Sequence, residues 1–189
     1  DINFMDFNKK NAVIIAMKDK TEEIKLKNKV MENKNKIEKL HDVAIKMENT
    51  AQREEIYKQT VEAAEEILDY DVISLDIVKD NKLIAVGKSQ NLTDDDVISM
   101  SLDEMSLATK AYHEQRTIIC NNIPAERDAS PVKTKYKSAL TVPIQQYGTF
   151  QIISEEYDYF TNQDKNLVEL LISHTGAALK RLNREEEIR

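Results

Sequence analysis

The chain has 189 residues, of which 41% are apolar and 32% charged, and its formal net charge is −7. An acidic balance of this size argues against partners rich in phosphate, both nucleic acids and anionic membrane surfaces, because binding them needs a basic face. The mean hydropathy of −0.55 and the lack of an apolar run of about 18 residues argue against a transmembrane helix.

The first residues and the single cysteine indicate what kind of segment this is and in which cellular compartment it folds. The chain begins at Asp1, with neither an initiator Met nor a secretory signal, and we expect it to be a segment of a longer protein. Its only cysteine, Cys120, cannot form an internal disulfide, which fits the reducing cytoplasm. One cysteine and three scattered histidines do not supply a four-ligand zinc site, so we expect no metal.

The first predicted elements are a strand and a long helix. Residues 12–17 form a short, apolar, partly β-branched run that predicts a strand. Thr21 then suits a helix N-cap, and residues 22–48 are predicted to be helical. A heptad seam follows, made of Leu26, Val30, Asn33, Ile37, Leu40, Ala44 and Met47. The seam predicts a coiled coil that joins a parallel homodimer, or else an ordinary amphipathic helix packed on its own domain.

A second helix and two strands come next. Thr50 is the predicted N-cap of a helix over 51–68. Apolar residues then alternate with polar ones over 72–78, which predicts a strand. Ser74 and Asp76 face away from the apolar residues of this strand. Asp80 and Asn81 suit a tight turn, and 82–88 is the returning strand.

The remaining chain predicts a helix, three strands and a closing helix. Residues 101–104 have the form of a capping box that opens a helix, 117–120 is a strand and 121–137 is a long loop. Two strands, 138–145 and 149–157, form a hairpin around Gly148, and Pro143 in the first of them indicates an edge or a bulge. Thr161 caps the last helix, with Asp164 in its first turn.

This order of elements predicts an α+β fold. Helix, strand, strand, helix, strand, loop, strand, strand and helix make a central antiparallel sheet. We expect the N- and C-terminal helices on one face of the sheet, and the middle helix and the long loop on the other face.

The order of these elements and several short sequence motifs resemble the GAF domain of sensor proteins. The matching motifs are 40–44 and 62–68 in the first helices, the Ser-Ala-Leu-Thr-Val-Pro-Ile run of 138–144, Gly148, and the Phe-Thr-Asn-Gln-Asp run of 160–164 that leads into two leucines. The resemblance covers about residues 38–184. It implies the GAF fold and a ligand pocket between the sheet and the middle helix and loop.

A second resemblance concerns the first residues. The Asp-Lys-Thr-Glu run at 19–22, after an apolar strand, resembles the Asp-x-Thr ending of a PAS domain, although Lys20 stands where an isoleucine is usual. The implied division is 1–21 as the end of a PAS domain, 22–49 as a signalling linker helix and 50–189 as the GAF domain with its C-terminal helix. A PAS domain, a linker helix and a GAF domain in this order usually belong to sensor histidine kinases or related regulators. The chain itself has no nucleotide-binding loop and no phosphoacceptor motif, and we expect no catalytic activity from it.

Polar residues near the implied pocket are the candidate ligand contacts. The set is Ser74, Asp76, Tyr112, Cys120, Arg127 and Ser138. The alternative for these residues is ordinary surface exposure. The cyclic-nucleotide signature of some GAF domains is missing, so a cyclic nucleotide is not the expected ligand.

Three functions stay open at this point. The first is a sensory module that binds an unknown small molecule and signals to a kinase or other output domain through dimeric terminal helices. The second is a dimerisation and transmission element without a ligand. The third, haem-based redox or gas sensing, rests only on Cys120 and on His41, His113 and His174, which lie on different predicted helices.

Overall fold

The computed structural model describes residues 9–93, 99–129 and 133–188, with side chains from residue 22 onward. Within these residues the chain forms four α-helices and six strands. The helices are α1 (Lys9–Glu48), α2 (Arg53–Glu66), α3 (Leu107–Glu114) and α4 (Asn162–Glu187). The strands are β1 (Ile73–Lys79), β2 (Lys82–Lys88), β3 (Met100–Ser101), β4 (Ile118–Cys120), β5 (Ser138–Ile144) and β6 (Gly148–Ser154).

The chain divides after Glu38 into two compact units, and the first of them is helical from Lys9 onward. Residues 12–17 belong to α1, so the strand predicted there is wrong. The PAS-type ending inferred from the sequence stays a prediction. Thr21 lies inside the helix and does not begin it. The first 86 residues contain no Gly or Pro that would interrupt a helix, and a β-branched run forms a strand only where a sheet offers it a partner.

The heptad seam is split between the two units. Leu26, Val30 and Ile37, in the first unit, are exposed over 65%, 61% and 47% of their surface, and Asn33 between them is half-buried. The later seam residues Leu40, Ala44 and Met47 are buried in the core of the second unit. This later part of α1 therefore behaves as the amphipathic helix of the alternative interpretation.

The second unit begins with the end of α1 and the start of α2. Gln52 is the N-cap of α2, whereas Thr50, the predicted cap, donates from its hydroxyl to the Lys46 carbonyl at 2.9 Å. Thr50 thus satisfies a terminal carbonyl of α1 and does not cap α2. The acidic residues Glu54 and Glu55 lie in the first turn of α2, where the helix dipole favours negative charge.

All six strands form one antiparallel sheet in the order β3-β2-β1-β6-β5-β4, which confirms the predicted α+β architecture. Asp80 and Asn81 have φ angles of 51° and 61°, as the tight turn between β1 and β2 requires. Pro143 pairs with Thr149 of β6, and β4 pairs only with residues Ala139, Leu140 and Thr141 of β5. At Pro143 the sheet is therefore locally an edge, where a missing N–H donor costs nothing.

The middle helix begins later than predicted. The capping box is formed by Ser106 and Thr109, and α3 starts at Leu107. Ser101, the predicted cap, lies in β3 beside β2, and its backbone N–H donates to the Glu104 carboxylate at 3.2 Å within a turn. Pairing with the sheet edge competes with helix initiation at this serine.

The closing helix begins where the sequence indicates. The hydroxyl of Thr161 accepts from the Asp164 backbone N–H at 3.3 Å, and the Asp164 carboxylate accepts from the Thr161 backbone at 2.8 Å. Burial by itself would raise the pKa of Asp164, but hydrogen bonds from Thr161 and Tyr70 hold it below its usual value. These contacts form a capping box and confirm the predicted N-cap at Thr161.

The main core of the second unit lies on the sheet face covered by α2 and α4. It unites residues at alternate strand positions with the apolar faces of the two helices, among them Ile73, Leu75, Phe150, Ile152, Leu140, Val142, Ala64, Leu171 and Leu179. The apolar stripe of α4 from Leu167 to Leu182 is thus used within one chain. α3 covers the opposite face, as two smaller clusters show: one packs Leu107 with Cys120 and Ala139, the other packs Ala108 with Leu83.

Candidate functional site

The strand residues that face α3 form a polar stripe across the middle of the sheet. β1 contributes Ser74 and Asp76, which pair in register with Gln151 and Thr149 of β6. Thr141 of β5 pairs in turn with Gln151. Because side chains alternate along a strand, these residues share the face opposite Ile73, Leu75 and Phe150. We call these five residues, Ser74, Asp76, Thr141, Thr149 and Gln151, the polar stripe.

The carboxylate of Asp76 is the charged group of the polar stripe. Ser74 donates a hydrogen bond of 2.8 Å from its hydroxyl to Asp76 Oδ1. Burial raises the pKa of Asp76 to about 6, and the hydrogen bond from Ser74 opposes that rise only in part. Although the side chain keeps a little exposed surface, its carboxylate is desolvated. A desolvated carboxylate accepts hydrogen bonds from an incoming donor strongly.

Thr149 carries a polar group without a hydrogen bond. The residue is fully buried, and its hydroxyl has no partner among the described residues. Leaving a buried hydroxyl unpaired costs about 1–3 kcal/mol, so most such groups in folded proteins have a partner. The neighbouring stripe residues are paired with each other, since Gln151 Nε2 donates to Thr141 Oγ1 at 3.0 Å.

Apolar clusters flank the polar stripe on both sides. One contains Leu107, Cys120, Ile123, Tyr136 and Ala139, and the other contains Leu83, Leu102 and Ala108. α3 contributes to both clusters, and its Ala111 is fully buried. Apolar walls around a few placed polar groups are typical of small-molecule sites.

The structure brings together only part of the predicted contact set. Ser74 and Asp76 lie side by side in the stripe. Tyr112 packs beside the cluster of Leu83, and its hydroxyl donates to the Gln146 carbonyl at 3.3 Å. Arg127 is exposed on the loop that follows β4.

Ser138 lies at the start of β5 and is fully buried. Its strand position has the same parity as Leu140 and Val142, which face α2 and α4, so it is not on the α3 face. The hydroxyl of Ser138 donates to the Glu156 carbonyl at 2.8 Å. Its contacts tie β5 to the chain after β6, and Ser138 does not join the polar stripe.

Cys120 is a buried member of the apolar cluster that includes Leu107. Burial raises the pKa of its thiol, and a hydrogen bond from the Asn122 backbone opposes this effect only in part. Since the thiolate is the reactive and metal-binding form, this environment disfavours both roles.

The histidines are dispersed. His113 donates to the Leu102 carbonyl at 2.8 Å, and His41 is exposed on α1. His174 is half-buried on α4, where burial, followed by the charge of His41, lowers its pKa. Across residues 22–93, 99–129 and 133–188, His, Cys, Asp and Glu side chains form no group able to hold a metal ion.

Three stripe residues, Thr141, Thr149 and Gln151, were not among the predicted contacts. The signal that finds them is the one applied to β1. In β6, Thr149 and Gln151 alternate with Phe150 and Ile152, as Ser74 and Asp76 alternate with apolar residues in β1. The alternation indicates a polar face on each strand, and the pairing of β1, β6 and β5 joins these faces into the stripe.

A sequence profile described as the GAF domain matches residues 50–180. The chain belongs to the GAF domain family. GAF domains are signalling modules. The order of the strands and the helices on both faces of the sheet agree with the GAF fold. Among the described helices of this GAF domain chain, none is long and apolar enough to cross a bilayer.

Solved structures show the same fold at low identity. The GAF domain of a phosphoenolpyruvate-protein phosphotransferase from Coxiella burnetii is 18% identical, with a TM-score of 0.70 over 82% of this chain and 98% of that one. A free methionine-R-sulfoxide reductase from Neisseria meningitidis is 12% identical, with a TM-score of 0.69 over 77% and 89%. Residues 122 to 287 of a methyl-accepting chemotaxis protein are 16% identical, with a TM-score of 0.64 over 75% and 96%. No curated protein matches the chain significantly.

Proposed function

We propose that this GAF domain is a sensory module that binds a small molecule on the polar stripe beneath α3. The observation that carries the proposal is the fully buried Thr149 hydroxyl, which lacks a partner among the described residues and is in register with Asp76. A ligand that bonds to Thr149 and Asp76 would satisfy both groups at once.

The stripe also limits the chemistry of the ligand. The Asp76 carboxylate accepts hydrogen bonds, while the Thr149 hydroxyl can donate or accept. Apolar clusters on either side, around Cys120 and around Leu83, suit a ligand with an apolar body. The ligand proposed is therefore a small molecule that presents at least one N–H or O–H donor to Asp76.

Transmission would run through the sheet to the helices on its other face. Stripe residues Ser74 and Asp76 alternate along β1 with Leu75, which packs in the core with α2 and α4. Any shift of β1 on binding therefore reaches both helices.

The end of α1 is tied to α4 within the same unit. Arg181 of α4 donates to the carbonyl of Thr50, and Arg53 at the start of α2 donates to Asn183 and, at 2.6 Å, to Glu186 of α4. The Arg181 contact satisfies a carbonyl just beyond the end of α1. These contacts give a route from the core to both terminal helices.

We also propose that the chain is a parallel homodimer through the first part of α1. Its support is the exposure of Leu26, Val30 and Ile37 at heptad spacing, which leaves an apolar stripe uncovered in one chain. The parent protein proposed is a signalling protein, a histidine kinase or one with another output domain, acting in the cytoplasm. This step rests on family association and on no residue of this chain.

A thermal-shift screen tests ligand binding. Wild-type chain is incubated with single amino acids, amines, organic acids and nucleosides, and its melting temperature is compared with that of Asp76→Asn and Thr149→Val. We expect at least one compound to raise the wild-type melting temperature and to have little effect on either variant. A transmission element with an unused pocket would give no stabilising compound, and that outcome would overturn the proposal. Equal stabilisation of all three proteins would show that the compound binds outside the polar stripe.

A further inference from the structure

A separate cleft of about 480 Å³ lies where β1 begins and β6 ends. The side chains of Tyr70 and Tyr159 line it together with the apolar residues Val72 and Ile153. None of the polar-stripe residues lines this cleft. Nothing in the function proposed above uses it.

Neighbouring aromatic residues hold both tyrosine rings of the cleft in place. Phe160 packs against Tyr159 edge to face, with ring centroids 5.1 Å apart, and against Tyr70 at 6.1 Å. The Tyr70 hydroxyl donates to Asp164 Oδ1 at 2.8 Å, which fixes the ring further. A ligand would meet rings that are already ordered, so little entropy is lost on binding.

The charges around the cleft are predominantly negative. Asp71, Glu155 and Glu156 line it, and the ammonium group of Lys135 pairs with Glu155. Three carboxylates against one cation leave a formal charge of −2 for the lining residues. The surroundings of Tyr159 agree, because burial and then the carboxylates of Asp164, Asp69, Glu156 and Asp71 raise the pKa of its hydroxyl.

These acids are not arranged as a metal site. Within the described part of the chain, no three His, Cys, Asp or Glu side chains converge closely enough to hold a metal ion. A compact, strongly hydrated ion needs several oxygen ligands at once. A bulky cation with diffuse charge needs only aromatic faces and a negative field.

We propose that the cleft binds a small organic cation that carries an alkylated ammonium group. The rings of Tyr70 and Tyr159 contact the methyl or methylene groups of the cation, and Val72 and Ile153 form the apolar floor. The carboxylates of Asp71 and Glu156 supply charge at the rim without direct chelation.

Titration with choline and with its neutral carbon analogue 3,3-dimethylbutan-1-ol tests the proposal. Binding to the full chain is followed by NMR chemical shifts up to about 30 mM ligand, which reaches dissociation constants in the millimolar range. The variants are Tyr159→Leu, which removes the ring, Tyr159→Phe, which keeps it, and Glu156→Gln, which removes one charge. Tyr157→Leu is the matched control, since Tyr157 is an exposed tyrosine of the same segment that does not line the cleft.

We expect saturable binding of choline, and at least fivefold weaker binding of the neutral analogue. Tyr159→Leu should weaken choline binding about threefold to thirtyfold, Glu156→Gln should weaken it about twofold to fivefold, and Tyr159→Phe and Tyr157→Leu should leave it within twofold. No saturable shift with choline, equal binding of the neutral analogue, or equal loss in Tyr157→Leu and Tyr159→Leu would overturn the proposal. All four substitutions are at exposed residues, so each variant should remain folded.

Discussion

Gly148 passes so close to the main chain of Asp76 that a Cβ atom on Gly148 would lie 1.9 Å from the Asp76 carbonyl oxygen. The contact lies where β6 begins beside β1, at the end of the polar stripe. No side chain rotation relieves it, because the opposing atoms belong to the backbone.

Gly148→Ala should therefore destabilise the chain by about 3 kcal/mol or more, since the strands must separate. Gly176→Ala is the control, because its Cβ would meet only the flexible Gln145 side chain at 3.4 Å and because alanine favours a helix. Urea unfolding should show Gly176→Ala within about 1 kcal/mol of wild type. Similar stabilities for the two variants would contradict the strand contact.

Asp76→Asn should change how stability depends on pH. The pKa of Asp76 in the folded chain, raised to about 6, exceeds its value of 3.8 in the unfolded chain. The contribution of Asp76 to the free energy of unfolding is therefore complete below pH 3.8 and is lost as pH rises through 6. The variant should thus gain up to about 3 kcal/mol relative to wild type between acid and neutral pH. Urea unfolding across that range measures it. Asp42→Asn, at an exposed helix position, is the control, and an equal pH-dependent gain there would refute desolvation of Asp76.

Thr60 and Thr175 join α2 to α4 through a buried contact of 2.9 Å between their hydroxyls. Each hydroxyl also lies within hydrogen-bond distance of a carbonyl of its own helix, that of Ile56 or that of Leu171. Because a hydroxyl donates only once, one threonine donates across to the other, which donates within its own helix. Thr60→Val and Thr175→Val should each cost about 1 kcal/mol, and the double variant should cost about 0.5–1 kcal/mol less than their sum.

Chemical denaturation of the three variants measures this coupling between α2 and α4. Thr60→Val combined with Thr141→Val is the control, since Thr141 lies on the other face of the sheet. That pair should be additive within about 0.5 kcal/mol. Additivity of Thr60 and Thr175 as well would show that the hydroxyl pair does not couple the two helices.

Val30→Glu combined with Ile37→Glu should convert a dimer to a monomer without changing the fold of residues 39–188. Both side chains are exposed in one chain, and each apolar group buried between two chains would contribute about 1.5–3 kcal/mol.

Asn28→Glu with Asn35→Glu adds the same charge at outward heptad positions and should remain dimeric. Leu40→Glu should unfold the domain instead, because Leu40 is fully buried in its core. Light scattering decides, and a wild-type monomer at tens of micromolar would contradict the dimer.

Much of the fold follows from local sequence signals. The alternation in β1, the Asp80-Asn81 turn and the N-cap at Thr161 each act within a few residues, and the structure confirms them. The errors lie where another contact competes for the same side chain. Thr50 caps the end of α1 because its hydroxyl reaches Lys46, and Leu40 packs in the core because the sheet offers it a surface.

The candidate site was predicted in part for the same reason. Ser74 and Asp76 share one strand, so their common face follows from period two. Thr149 joins them only through the pairing of β6 with β1, a register that no local pattern in either strand specifies. Ser138 was assigned to the wrong face because the parity of β5 depends on how that strand is paired.

The central claim, ligand binding on the polar stripe, is tested most directly by NMR of the threonine and alanine methyl groups. The compound that stabilises wild type most in the thermal-shift screen is titrated into labelled chain. Binding beneath α3 predicts that the methyl signals of Thr149 and Ala111 shift together and saturably, while those of Thr60 and Thr175, on the opposite face, shift far less. Shifts confined to Thr60 and Thr175 or to exposed residues, or no shift at Thr149, would contradict the account.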